Sequence, residues 1–167
     1  MSAKSMVEAT RQLPCSVVIL SARADGKQGA MTASAMYVSE IPPLIAVSVS
    51  KQFATYQLIE KSREFAVNVI TDDQIGLAKK LGDSHGQDVD KFSEFGIATT
   101  PASQIKAPLV AGCYANIECQ VKTALWDVEG NHAIYIGEVV AFKSNKDLGP
   151  LVWLKNRYFK VGAECRL

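Results

Sequence analysis

The amino-acid sequence predicts an all-β to α+β fold, an antiparallel barrel with helices inserted in the connections. Short β-branched apolar runs recur along the chain, hairpin signals punctuate them, and helical periodicity is confined to the stretches between them. No βαβ alternation is present, which argues against a doubly wound parallel sheet. A chain of 167 residues is long enough for one domain with a substantial core, because a domain near this size buries roughly 70% of the surface its unfolded chain exposes. Residues 1–167 are therefore expected to fold as a single unit.

The first strand is CSVVILSA, Cys15 to Ala22, followed by Asp25-Gly26, a dipeptide that favours a two-residue hairpin turn. The next strand, through Thr32 and Ser34, is expected to pair antiparallel with it. After the Pro42-Pro43 break, LIAVSVS (Leu44 to Ser50) and EFAVNVI (Glu64 to Ile70) read as strands. They flank a helix at Ala54 to Lys61, where Thr55, Leu58, Ile59 and Ser62 supply the helical period. A second helix is expected from Asp72-Asp73, whose carboxylates can cap it, to Gly82, with Gly76 weakening its regularity. From Gly82 to Ala107 the chain turns polar and irregular, more in the manner of a flap over a site than of an interdomain linker. Two long strands close the pattern, Tyr114 to Asp127 and His132 to Phe142, joined by a turn at Glu129-Gly130-Asn131.

Composition narrows the function classes. With 18 basic and 17 acidic residues the net charge is +1, so no broad field attracts nucleic acid or an anionic membrane, and any charged ligand must be held by local groups. The N-terminal MSAKSMVEATRQLP lacks the apolar core of a signal peptide, and no segment offers about 18 uninterrupted apolar residues. A soluble, cytoplasmic protein is expected. Cys15, Cys113, Cys119 and Cys165 form no CxxC pair. Cys15 reads as a small buried hydrophobe and Cys165 as a site of adventitious oxidation. Cys113 and Cys119 are six residues apart, which in one continuous strand would place them on one face, a weak opening for metal or redox chemistry; no metal site is expected. GxSxG, HExxH and P-loop motifs are absent, as is a GxGxxG after a strand. A nicotinamide dinucleotide, if used, must then dock briefly on some other surface.

The stretch from Gly29 to Thr55 carries the ligand signal. Met31, Thr32, Ala33, Ser34 and Ala35 put small side chains on one strand, where a flat ligand can lie close to the backbone. Thr32 and Ser34 alternate with Ala33 and so share a face. The next strand, including Ser48 and Val49, runs into Ser50, Lys51 and the helix that contains Thr55, and free N–H groups at a helix start suit a phosphate. Together these features suggest a planar ring with a phosphate tail. Taken alone, Ser50 also reads as part of a helix cap, Lys51 as a solvated charge, and the Thr32/Ser34 face as the solvent side of a hairpin.

In family order, the same residues resemble the flavin reductase-like proteins with an FMN-binding split β-barrel. The likeness rests on Gly-x-Met-Thr-x-Ser-Ala (Gly29 to Ala35), Pro-Pro-Leu-Ile (Pro42 to Ile45), Ser50 to Thr55 before a helix, EFAVNVI, and DKF at Asp90 to Phe92. It continues through Glu118-Cys119, GNHAIYIGEVV (Gly130 to Val140) and Arg157-Tyr158. Asn131 departs from the pattern, since many members carry Asp there. The resemblance implies FMN held by Met31, Thr32, Ala33, Ser34, Ser48, Val49, Ser50, Lys51, Thr55 and Lys91, and His132 positioning NADH or NADPH against it. It also implies a homodimer, for which Trp126, Val128, Trp153 and Leu154 offer apolar groups near strand ends. Electrons would pass to flavin and onward to a partner monooxygenase, a ferric complex or another carrier. The alternative is a flavoredoxin-type electron carrier, or a ferric reductase, without an efficient nicotinamide site.

Overall fold

Strand β2 (Val18–Ala24) is buried at five consecutive positions from Val18 to Ala22, and this sets the architecture. A strand covered on both faces needs apolar residues at successive positions rather than alternate ones, which is what the VVIL run supplies. In the computed structural model, which describes residues 3–84, 89–126 and 129–165, the chain opens with α1 (Ala3–Thr10) and β1 (Cys15–Ser16). The hairpin of β2 and β3 (Lys27–Ala33) follows, then β4 (Ala35–Ser39), β5 (Leu44–Ser50), α2 (Ala54–Ser62) and β6 (Glu64–Val69). A 3-10 turn (Asp72–Gln74) leads into α3 (Ile75–Asp83), α4 (Lys91–Glu94) and the short strands β7 (Thr99–Thr100) and β8 (Leu109–Val110). The long strands β9 (Ala115–Leu125) and β10 (His132–Ser144) precede a final pair, β11 (Leu151–Leu154) and β12 (Arg157–Lys160).

Seven strands form one antiparallel sheet in the order β3-β2-β6-β9-β10-β5-β4, and β1-β11-β12 form a second. No ladder joins β3 to β4. Instead β1 bridges toward the β4 edge: the Ser16 hydroxyl donates to the Ala35 carbonyl at 2.7 Å and accepts from the Ala35 N–H at 3.0 Å. Strand alternation then sorts the apolar residues into two clusters. Val18, Leu20, Val47, Val49, Phe65 and Tyr135 pack beneath Leu58 and Ile59 of α2, while Val17, Ile19, Ile70, Leu81, Phe92 and Val110 pack around α3 and α4. Buried Asn68 ties strands to loop, donating to the Ile19 carbonyl and accepting from the Val110 N–H and the Asn116 amide. No helix of the described residues is long and apolar enough to cross a membrane.

Several expectations hold in detail. The Asp25-Gly26 turn has φ of 50° and 74°, the mirror-image hairpin geometry, and the strands on either side pair from Val18↔Ala33 to Ala24↔Lys27. LIAVSVS is β5 without change of boundary. Others are corrected. The first strand breaks at Val17, whose N–H and carbonyl bond to Leu151 and Ile70 rather than continuing one ladder. The second helix is capped not by Asp72 or Asp73 but by Thr71, in a reciprocal box with Gln74. Cys113 precedes β9, so it shares no strand face with Cys119; the two thiols lie in different clusters. Burial pushes Cys113 up to about 11 and Cys119 up to about 12, which keeps both protonated and unreactive at neutral pH. Cys15 is only half-buried, its thiol directed at the Leu13 carbonyl. The stretch expected to be irregular from Gly82 to Ala107 holds the last residues of α3, the short helix α4 and the strand β7. Its His85, together with Asp127 and Val128, lies outside the described residues.

Candidate functional site

Six of the residues singled out by sequence line one cavity of about 360 Å³: Met31, Thr32, Ala33, Ser34, Ser48 and His132. They arrive from three places in the chain. Edge strand β3 pairs only with β2, so every second residue turns its backbone N–H and C=O away from the ladder and toward this side. Small side chains at Ala33 and Ser34 leave that edge approachable. Ser48 projects outward from β5 between buried Val47 and Val49, and His132 opens β10 directly opposite Ser50, with Ile134 opposite Ser48. Cross-strand partners share a face, which places Ser48, Ser50 and His132 on one side of the sheet.

The hydroxyls of this wall divide into two kinds. Ser16 is committed to Ala35, and Thr32 donates to the Ala78 carbonyl of α3. Ser34 and Ser48 are exposed and make no hydrogen bond with the described residues. His132 Nδ1 lies 2.7 Å from the Asn131 amide oxygen, an arrangement that puts the proton on Nδ1 and leaves Nε2 as an acceptor. An amide in place of the carboxylate orients the ring without adding negative charge.

The remaining predicted residues gather around the start of α2 instead of in the cavity wall. Ser50 and Thr55 are buried. Gly29 of β3 packs directly on Thr55, where a Cβ would lie 3.3 Å from the Thr55 hydroxyl and 2.9 Å from Leu58 Cδ1. The N-terminus of α2 has no side-chain cap, since Phe53 occupies that position. Lys51 donates its ammonium group to the Trp126 carbonyl at 2.8 Å and its backbone N–H to the Asn131 carbonyl. Lys91 is buried, sits 4.8 Å from the centroid of the Phe53 ring and donates to the Ser84 carbonyl. Burial pulls its pKa below the ordinary lysine value, partly opposed by Glu94. The Val49 side chain is fully buried in the core beneath α2, as alternation along β5 requires, so only its backbone is left to meet a ligand.

Sequence reasoning missed four wall residues, Ser16, Val17, Trp153 and Tyr158. Tyr158 and Trp153 were visible only as a motif end and as an apolar group; their place in the wall depends on β11 and β12 folding back over β1. Nothing in the sequence marks Ser16. Among the described residues no group of three or more His, Cys, Asp or Glu side chains is placed to hold a metal ion.

A family model described as flavin reductase like domain matches residues 10–162. A flavin reductase from Pseudomonas putida is 30% identical over 135 residues, covering 80% of this chain and 75% of that protein. The reductase component of a Rhodococcus opacus 4-nitrophenol 4-monooxygenase/4-nitrocatechol 2-monooxygenase is 27% identical over 144 residues, 85% of this chain and 72% of its own. Among solved structures, the Streptomyces globisporus C-1027 NADH:FAD oxidoreductase SgcE6 superposes with a TM-score of 0.84 at 25% identity, covering 98% of this chain and 97% of that one. The fold is that of the flavin reductase split barrels. On the extent of the family match and the relatives it shares, the chain belongs to the flavin reductase like domain family.

Proposed function

We propose that the chain is a flavin reductase that binds the FMN moiety of its flavin in the cavity between β3, β5 and His132 and transfers hydride equivalents to it from NADH or NADPH. The carrying observation is the convergence of Met31 to Ser34, Ser48 and His132 on one cavity. The residues fit such a ligand: a volume of about 360 Å³ lies in the range of small-molecule sites, and the free Ser34 and Ser48 hydroxyls meet a planar ring with a polar edge. Strand β5 runs for seven residues from Leu44 to Ser50, and its last two steps lead from Ser48 toward the uncapped start of α2, a distance of about 7 Å. There Ser50, Thr55 and Lys51 would hold the phosphate, with Lys91 beneath Phe53 adding positive charge.

When bound, the flavin supplies the redox chemistry, accepting a hydride from the reduced nicotinamide. The protein's part is alignment and exclusion of water. Ser34 and Ser48 would offer hydroxyls to the polar edge of the flavin, Trp153 and Tyr158 would wall the cavity from water, and His132 Nε2 would be available to accept a hydrogen bond from the nicotinamide. Relatives that serve as monooxygenase reductase components support a monooxygenase as acceptor. A homodimer is supported by the outer face of the sheet, where Met36, Ile136, Ile134 and Leu125 occupy adjacent register positions, with Met36 64% and Leu125 51% exposed. Oxidation of NADH and NADPH, followed at 340 nm with added flavin, tests the activity. Flavin-dependent turnover with at least one of them is expected. Tight flavin binding with no nicotinamide oxidation would instead favour the carrier.

A further inference from the structure

Glu60, toward the end of α2, is a half-buried carboxylate to which the flavin site gives no task. Its Oε1 accepts two hydrogen bonds from residues far away in sequence, the Trp126 indole N–H at 2.9 Å and the Tyr135 hydroxyl. Tyr135 lies in β10 and is fully buried. Burial, with the hydrogen bond and charge of Glu60, pushes its phenol well above the ordinary tyrosine range, so it stays a donor at neutral pH and anchors the carboxylate. Trp126, by contrast, has no place in the sheet. The β9–β10 ladder reaches only Ile134↔Leu125, and Trp126 just beyond it is 44% exposed. Among the described residues it makes two hydrogen bonds: its indole donates to Glu60, and its carbonyl accepts from the Lys51 ammonium at 2.8 Å. Lys51 is thereby fastened on both sides, because its backbone N–H donates to the Asn131 carbonyl at 2.8 Å, and the Asn131 amide oxygen faces His132 Nδ1. On its flexible four-carbon stem a lysine is otherwise a poorly oriented point charge. With one N–H of the ammonium on a fixed carbonyl, two remain for a phosphate.

We infer that Glu60 is a positioning residue for the flavin phosphate: by fixing the Trp126 indole it holds in place the carbonyl that orients the Lys51 ammonium. The inference rests on the phosphate anchor proposed above and adds to it a residue that never touches the ligand. A tie between α2 and β10 needs only the Tyr135 bond. The second bond reaches a residue outside the sheet whose carbonyl meets Lys51, so its consequence falls on the anchor.

Titration of flavin-free protein with FMN and with riboflavin, read by quenching of flavin fluorescence, tests it through the ratio of the two affinities. Glu60→Ala should lower the FMN-over-riboflavin ratio about three- to tenfold, the worth of one hydrogen bond, with riboflavin affinity unchanged. Glu60→Gln should restore the wild-type ratio, since an amide oxygen can accept both bonds. Trp126→Phe removes the indole donor but leaves the Glu60–Tyr135 bond, and should reproduce the Glu60→Ala ratio even if that variant folds poorly. The pairing with Lys51 is read from a double-mutant cycle. Lys51→Ala should lower the ratio by about tenfold or more, and adding Glu60→Ala to it should lower the ratio no further. An unchanged ratio in Glu60→Ala and Trp126→Phe would overturn the inference while leaving the anchor intact. So would a parallel loss of FMN and riboflavin affinity, which marks a general structural role, or an undiminished effect of Glu60→Ala in the Lys51→Ala background. A Lys51→Ala variant that keeps the wild-type ratio would remove the phosphate anchor itself, and the role of Glu60 with it.

Discussion

Ser34 and Ser48 make no hydrogen bond with the described residues, whereas Ser16 and Thr32 in the same wall are bonded to Ala35 and Ala78. Alternation on a strand revealed that Thr32 is near the ligand face; only the packed α3 shows that its hydroxyl is already engaged. Ser48→Val should therefore weaken flavin binding by about three- to tenfold, the worth of one neutral hydrogen bond, with the melting temperature unchanged. Equal affinity in wild type and variant would remove Ser48 from the site. Glu118 gives the pH prediction. Burial alone would raise its pKa, but bonds from the Ser103 N–H and hydroxyl and from the Gln104 N–H hold it below the usual 4.5. Its native pKa lies below the unfolded one, so its contribution is complete above pH 4.5 and is lost as pH falls through the depressed native value. Glu118→Gln should cost about 1–3 kcal/mol at pH 7 and flatten the acid limb of the stability profile in urea titrations between pH 3 and 6. An acid limb as steep as in the wild type would contradict this.

Strand β3 was legible from its hairpin turn and small side chains, and so was β5 from its apolar alternation. The short elements were not: α1, β11 and β12 carry no strong period over their four to eight residues, and β11 and β12 are held by pairings distant in sequence or in a late hairpin, such as Cys15↔Trp153 and Trp153↔Tyr158. Helix α2 depends on Gly29 for its distance from β3. In Gly29→Ala the new methyl would meet Leu58 Cδ1 at 2.9 Å and the Thr55 hydroxyl at 3.3 Å. Overpacking of this kind costs about 1–3 kcal/mol, or roughly 2–12 °C in melting temperature for a domain of this size. Displacing α2 should also weaken binding of phosphorylated flavins more than of riboflavin. A variant that melts with the wild type and keeps its FMN-over-riboflavin preference would show that α2 is not set by this contact.

At the scale of the whole molecule, the sequence anticipated an antiparallel fold because β-branched runs and turn signals are local, and it could not anticipate which strand ends meet. The cavity forms where β3, β5 and β10 converge, and the register His132↔Ser50 that places the histidine there is a property of the sheet. The same sheet leaves Met36 and Leu125 on an outer face, and sedimentation at micromolar protein should give a mass near twice 18.1 kDa, shifting toward monomer in Met36→Lys with Leu125→Lys. A wild-type monomer that binds flavin stoichiometrically would exclude the dimer as part of the site. The central claim is that His132 aligns a nicotinamide against a flavin seated in that cavity. Anaerobic single-turnover bleaching of bound flavin, with NADH or NADPH and separately with dithionite, measures it most directly. His132→Ala should retain flavin affinity and dithionite reduction while nicotinamide-driven bleaching slows by up to about a hundredfold, the effect of roughly 1 Å of misplacement. A wild type that bleaches only with dithionite, or a variant as fast as the wild type with both nicotinamides, would contradict it.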